Sequence, residues 1–189
     1  MEALLREIRS CEICSQFLPA GPRPIVAGNR KSKLLIIGQA PGRRVHESGI
    51  PWNDPSGDQL RAWLQMDKET FYNEDVVALM PMGFCYPGTG KSGDLPPRPE
   101  CAEAWHLKML NMFDGVKLTL LIGQYAQKHY LGKSFKSNLT ETVRAHEEFY
   151  PDFLPLPHPS PRNRYWVKKN EWFAHEVLPK LSDAVTDLV

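Results

Sequence analysis

The sequence has few cysteines, almost no net charge and no long apolar run. Its 189 residues include 23 basic and 22 acidic side chains, for a formal net charge of +1. With so little net charge, the protein does not attract a polyanion through its overall electrostatic field, although basic side chains can still cluster locally. No apolar stretch approaches the length of a membrane-spanning helix, so we expect no membrane partner.

The N-terminal segment lacks the apolar core of a secretory signal peptide. Residues 1–10, MEALLREIRS, carry charges where that core would lie, and their spacing predicts an amphipathic helix instead. We therefore expect an intracellular, cytoplasmic protein, in which structural disulfides are rare.

Apolar runs predict the strands of a parallel sheet. Hydrophobic residues make up 42% of the chain, and no linker or repeat divides it, so we expect a single domain over residues 1–189. The first three runs are apolar on both faces, as buried parallel strands are. The runs cover residues 33–37, 75–80, 117–122 and 152–156.

Helical patterns alternate with these strands. One starts at a Ser56 N-cap, one ends at Gly132, and the last is broken near Pro179. This alternation predicts an α/β fold, a three-layer α/β/α sandwich around a central four-stranded parallel sheet. The helical patterns cover residues 56–66, 99–112, 124–131 and 167–188.

Glycine-rich and polar segments follow the first and fourth predicted strands. Residues 38–42 read GQAPG, and residues 157–163 read PHPSPRN. Because ligands of open parallel sheets bind beyond the carboxyl ends of the strands, we expect both segments at one pocket. Each also has a simpler explanation, an ordinary turn for the first and a histidine satisfied within a proline-rich turn for His158. The prolines flanking His158 hold it rigidly, as an electrostatic catalyst requires.

The four cysteines have a spacing that suits a metal or a cluster. Cys11 and Cys14 form a tight pair, whereas Cys85 and Cys101 lie far along the chain. Four thiolates can hold a zinc ion or a 4Fe–4S cluster, but a zinc ribbon usually brings two tight pairs. Four buried free thiols are the alternative, and the tight pair disfavours it.

Together these features resemble the uracil-DNA glycosylase superfamily. Residues 38–42 match its first motif, GxxPG in several branches, and residues 158–160 match its HPS-type second motif. The longer HPSPRN, at 158–163, is similar to the single-strand-selective branch. The cysteine spacing resembles the iron–sulfur branch, family 4. The resemblance covers nearly the whole chain. It implies a DNA glycosylase of base excision repair, which hydrolyses the N-glycosidic bond of uracil or of a related deaminated base.

The resemblance also implies roles for individual residues. His158 would donate to O2 of the departing base, and Trp52 would stack on the flipped base, unless it is only a core aromatic. Gln39, Glu47, Asn53 and Asp54 are candidates for orienting water. The remaining substrate contacts would be Gly38, Ala40, Pro41, Gly42, Ser160, Arg162 and Asn163, and the ligands of a 4Fe–4S cluster, or alternatively zinc, would be Cys11, Cys14, Cys85 and Cys101.

The expected partner is DNA that contains uracil or another damaged base. Arg162 would enter the minor groove, and Arg164 and Lys168 would hold phosphates. We expect a monomer associated with the nucleoid.

The first motif and the end of the second strand depart from the family pattern. Ala40 stands where several branches have Asp or Asn to activate water, and Gln39 where family 4 has Glu. No Asn follows the second strand to read uracil, and Pro81 lacks an N–H donor. The rivals are therefore a non-catalytic DNA-binding member of the fold and a glycosylase for another damaged base. The insertion at residues 86–95 is a candidate source of another side chain that recognises the base.

A second pattern within this insertion, GTGKS at residues 88–92, is similar to the end of a phosphate-binding P-loop. The first glycine of that motif would fall at Cys85, and the run does not lie directly between a strand and a helix. We therefore do not expect nucleotide hydrolysis.

Overall fold

A parallel sheet organises the chain, as the apolar runs predicted. The computed structural model describes residues 1–91 and 93–188, so Ser92 of the P-loop-like run and the last residue of the expected domain lie outside it. Within these residues the sheet has four strands in the order β2-β1-β5-β6, and all neighbours are parallel. The strands are β1 (Leu34–Ile37), β2 (Val77–Leu79), β5 (Leu118–Ile122) and β6 (Phe153–Leu156).

The long loop after β2 contains a small hairpin that the sequence patterns did not predict. Its strands, β3 (Thr89–Gly90) and β4 (Gly93–Asp94), pair antiparallel. The hairpin lies within the insertion that begins near Cys85, so this loop is ordered by its own backbone pairing.

Helical segments pack on both faces of the sheet. The α-helices are α1 (Glu2–Arg9), α2 (Arg43–Ser48), α3 (Pro55–Leu64), α4 (Lys68–Phe71), α5 (Pro99–Cys101), α6 (Leu107–Leu110), α7 (Gln124–Leu131), α8 (Leu139–Arg144), α9 (Arg164–Lys169) and α10 (Leu178–Thr186). π-Helical turns cover Ala102–His106 and Phe173–Val177, and 3₁₀ turns cover Ser15–Phe17, Gly132–Ser134, His146–Glu148 and Pro161–Asn163. No helix of the described chain is long and apolar enough to span a membrane.

Alternating side chains of β1 join two separate cores. Leu34 and Ile36 pack with α3 and α10 on one face, and Leu35 and Ile37 pack with α1, α7 and the 99–110 helical rod on the other. This alternation is the period of a β-strand, and burial on both faces explains the continuous apolar runs. The predicted three-layer α/β/α sandwich is confirmed.

Two predicted helix boundaries were wrong. α3 begins one residue before Ser56, and its N-cap is Asp54, whose carboxylate accepts a 2.8 Å hydrogen bond from the Gly57 amide. The C-terminal helical run is interrupted at Asn170 rather than near Pro179, which lies just after the π-helical turn Phe173–Val177 within one continuous run.

His106 joins the 99–110 rod to the end of β2 through a buried network. Its Nε2 lies 3.2 Å from the Pro81 carbonyl oxygen and its Nδ1 lies 2.6 Å from the Tyr130 hydroxyl. Since a carbonyl only accepts, Nε2 carries the proton and Nδ1 accepts from Tyr130. Burial lowers the pKa of His106 to about 4.

This network predicts a pH-dependent stability. Above pH 6.5 His106 is neutral in both the folded and the unfolded chain. At lower pH the imidazole binds a proton in the unfolded chain but stays neutral in the folded chain until the pH approaches 4. From pH 7 to pH 5 this group should therefore lower the free energy of unfolding by about 2 kcal/mol. Urea unfolding of wild type and His106→Gln at both pH values measures the difference. An equal fall in both proteins would contradict the prediction.

Candidate active site

A cavity of about 340 Å³ opens at the carboxyl edge of the sheet. Its walls come from the turn after β1, the segment before α3, the hairpin and the loop after β6, so the two motif segments do meet at one pocket. The predicted site residues that line it are Gly38, Gln39, Ala40, Pro41, Gly42, Trp52, Asp54, His158, Ser160 and Arg162. Asn53 is exposed and does not line this cavity, and Asn163 lies just behind its wall.

Trp52 forms the aromatic wall of the cavity and is held by two glycines. A β-carbon at Gly38 would lie 2.8 Å from its ring, and one at Gly57 would lie 1.7 Å from its carbonyl oxygen. Trp52 itself adopts a left-handed backbone, with φ at 57°. Such a conformation is costly for a bulky residue and persists only when its surroundings fix it. The ring is therefore held in place beside the turn after β1.

His158 stacks next to Trp52 in the wall of the cavity. Their ring centroids lie 5.7 Å apart with the planes inclined by 30°. Within the described residues neither ring nitrogen of His158 makes a hydrogen bond, whereas its backbone carbonyl accepts one of 2.8 Å from the Asn163 side chain. Ser160 caps the following 3₁₀ turn. The loop is thus fixed from behind while the imidazole stays available to a ligand.

The charge state of His158 follows from its surroundings. Burial lowers its pKa below the usual value, and the carboxylates of Asp54 and Asp94 oppose that shift. The ring is therefore neutral at pH 7 and offers one N–H donor.

The carboxylates of Asp54 and Asp94 flank Gly42 in the wall of the cavity. A β-carbon at Gly42 would lie 3.3 Å from Asp94 Oδ2 and 4.0 Å from Asp54 Oδ2. Asp94 belongs to the hairpin, and the sequence analysis did not identify it as a site residue. The one signal was the insertion itself, which was expected to supply a side chain that recognises the base. Gln39 also reaches this region and donates a 3.3 Å hydrogen bond to the Leu95 carbonyl.

Basic side chains surround the mouth of the cavity. The Arg162 guanidinium lies against Gly93 of the hairpin. The exposed side chains of Arg164 and Lys168 border a neighbouring cavity of about 310 Å³ that shares His158 and Ser160. This edge of the protein is suited to a phosphodiester chain.

The cysteines lie together, away from this cavity. Cys14 and Cys85 pack with Leu18, and Cys101 is also buried. Burial raises the pKa of Cys85 to about 11 and that of Cys101 to about 12, and each also interacts electrostatically with Cys11 and Cys14. The Phe84 amide donates a 3.4 Å hydrogen bond to Cys101 Sγ. In the described part of the chain, no three His, Cys, Asp or Glu side chains are arranged around a single metal ion.

Comparison with known proteins agrees with the two motifs. A family model described as the uracil DNA glycosylase superfamily matches residues 25–182, and the chain belongs to this superfamily. The fold is similar to a solution NMR structure of a protein from Methanosarcina acetivorans that is provisionally described as a uracil DNA glycosylase. The two share 15% identity over 82% of this chain and 94% of that chain, with a TM-score of 0.47. The predicted superfamily is confirmed, while the branch assignments stay predictions.

The role of Asp54 as N-cap of α3 predicts that two substitutions at this position differ in stability. Asp54→Ala should lower the free energy of unfolding by about 1 kcal/mol because the Gly57 amide loses its acceptor. Asp54→Asn keeps an effective cap and should change stability little. Thermal or urea unfolding of both variants measures this, and equal losses in the two would contradict the capping role.

Proposed function

We propose that the protein is a DNA glycosylase that hydrolyses the N-glycosidic bond of uracil, or of a related deaminated base, in base excision repair. The observation that carries the proposal is the His158 imidazole, which has no hydrogen-bond partner among the described residues and faces a cavity built by both superfamily motifs. Membership of the superfamily supports a glycosylase activity.

The substrate base would enter this cavity after leaving the duplex. A base inside a helix cannot be reached, so the nucleotide must be flipped or supplied from a single strand. Trp52 offers a fixed aromatic face, and stacking of this kind is worth about 1–3 kcal/mol per base. Arg164 and Lys168, at the edge of the cavity, would bind the flanking phosphates.

His158 would assist departure of the base. As the C1′–N1 bond breaks, negative charge develops on the base at O2 and positive charge on the sugar. The neutral imidazole donates its N–H to that oxygen, and its rigid loop means that little reorganisation is needed when charge develops. Gln39 presents an amide to the same cavity, although one of its N–H groups already binds Leu95.

Water attack requires an oriented acceptor, and Ala40 cannot supply one. Asp54 is the predicted water-orienting residue that lines the cavity with a carboxylate. Its Oδ1 is occupied by the Gly57 amide, which leaves Oδ2 for water. Pro81 also lines the cavity but its carbonyl binds His106, so base reading falls to other side chains.

The four cysteines would hold a structural 4Fe–4S cluster, with zinc as the alternative. Three of the four thiols are buried, and Cys85 and Cys101 interact electrostatically with Cys11 and Cys14. The Phe84 amide donates to Cys101 Sγ, a kind of contact that cluster sulfurs commonly accept. Because burial raises the pKa of Cys14, Cys85 and Cys101, a bound cation would supply the charge that compensates their ionisation. Cys11, Cys14, Cys85 and Cys101 would tie the N-terminal segment to the loop after β2. Hydrolysis needs no electrons, so the cluster would stabilise structure only.

A glycosylase assay tests the proposed activity. Wild type should release the base from single- or double-stranded oligonucleotides that carry one uracil, detected as strand cleavage after alkali. His158→Ala should lower the rate roughly 10²- to 10³-fold, as the loss of a comparable donor does.

His175→Ala is the matched control, because His175 is exposed and lies outside the cavity. Binding of uracil DNA by wild type without any cleavage would instead favour a non-catalytic DNA reader. Cleavage confined to oligonucleotides with hypoxanthine or an alkylated base would correct the substrate.

Metal analysis tests the proposed cluster. Protein purified without oxygen should contain iron and sulfide and absorb visible light, and Cys85→Ala should lose the iron and unfold at a lower temperature. Ile13→Ala is the control, since Ile13 lies between two of the cysteines but is 56% exposed. Zinc in place of iron would select the alternative, and a Cys85→Ala variant with unchanged metal content and stability would contradict both.

A further inference from the structure

We propose that Asp94, carried by the β3–β4 hairpin, is a second catalytic carboxylate that acts with Asp54 to hold the attacking water over Gly42. This inference rests on the proposed glycosylase function. It assigns a chemical role to the insertion, and it supplies the acceptor that Ala40 does not provide in the first motif.

The hairpin is anchored directly to the turn after β1. The Leu95 amide donates a 2.8 Å hydrogen bond to the Gly88 carbonyl and closes the hairpin. The Leu95 carbonyl accepts from the Gln39 side chain, and the Gln39 carbonyl accepts a 3.0 Å bond from the Gly83 amide. Gln39 thereby binds Leu95 at the end of the insertion and Gly83 shortly before its start, so Asp94 has a defined position relative to the first motif.

Hydrogen bonds also orient the Asp94 carboxylate. The Thr89 hydroxyl lies 3.3 Å from Asp94 Oδ1, and the Tyr86 hydroxyl lies 2.5 Å from the same Thr89 oxygen. A chain in which Tyr86 donates to Thr89 and Thr89 donates to Asp94 satisfies all three groups. It leaves Asp94 Oδ2 directed toward Gly42, 3.3 Å from where a β-carbon of that residue would lie.

The two carboxylates face the same side of Gly42, and the attacking water would bind there. Asp54 is fixed by its cap to Gly57 and Asp94 by Thr89, and the Oδ2 atoms of both face the side of Gly42 that has no side chain. A water there could donate one hydrogen to each carboxylate, within the two to four partners that an ordered water needs. Its lone pairs would then point away from the acids and into the cavity.

The position of His158 completes the arrangement. Asp54, Asp94 and His158 all line the same cavity, and both carboxylates raise the pKa of the imidazole against the effect of burial. The imidazole donor suits the negative charge that develops on the base, whereas the carboxylates suit the positive charge on the sugar.

The reaction then balances without another reagent. The C1′–N1 bond breaks and its electron pair goes to the base, while the water oxygen forms a bond to C1′. The water proton passes to the carboxylate pair and then to solvent, and the base anion takes a proton from solvent. The products are the free base and an abasic sugar.

Single-turnover kinetics on uracil-containing DNA test this inference. Asp94→Asn keeps the shape of the side chain, and we expect the rate to fall roughly 10- to 100-fold with unchanged DNA affinity, at or below the usual effect of a general base because the reaction is dissociative. Gly42→Ala should also slow the reaction, since the added methyl group occupies the water position while φ stays at an ordinary −79°. Asp183→Asn, on the exposed side of α10, is the control and should keep the wild-type rate.

An NMR titration of the imidazole supplies a readout that a merely structural hairpin would not move. The midpoint for His158 should lie below that of a free imidazole in wild type and fall further in Asp94→Asn, because a charge that raises it is lost. A slower rate together with a lower midpoint supports the assignment. If wild type cleaves and Asp94→Asn leaves either quantity unchanged, the inference alone is overturned. If wild type removes no base at all, the proposed function fails with it.

Discussion

The wedging of Trp52 between two glycines is the contact on which the candidate site depends. Its ring occupies the space that a side chain at Gly38 would fill, and its carbonyl sits where a side chain at Gly57 would begin. The left-handed backbone of Trp52 is maintained by this confinement rather than by its own preference. Because Gly38 follows β1, Gly57 lies in the first turn of α3 and His158 stacks near the ring, one side chain joins the separate parts of the cavity.

The cavity is lined by one neutral imidazole and by two carboxylates. Burial keeps His158 neutral, so it can donate a hydrogen bond without repelling a cationic sugar, and the carboxylates lie together near Gly42. A leaving anion and a developing cation need opposite surroundings within a few ångströms. A neutral donor for the leaving anion and carboxylates for the developing cation line the same cavity, and this combination is what a dissociative hydrolysis requires.

The sheet and the motif positions could be predicted from sequence because they depend on local patterns. Runs such as 118–122 are apolar at every position, and polar segments after parallel strands must share one edge. Asp54 as N-cap was misjudged because Ser56 is an equally plausible cap in isolation and only the packing of Trp52 against Gly57 decides between them. Asp94 could not be placed, since its position depends on bonds from Gln39 and Thr89, which are 55 and five residues away by sequence number.

The loop after β2 connects the cysteines to the proposed chemistry. Met80, Met82 and Phe84 alternate into the core on the face that holds α1 and the 99–110 rod, and His106 binds the Pro81 carbonyl between them. The Phe84 amide points at Cys101, and the chain then continues through Cys85 to the hairpin that carries Asp94. A cluster on the four cysteines would therefore fix the base of this loop, while Gln39 fixes its far end. Its influence on the reaction would be geometric, through the position of Asp94, and would need no electron transfer.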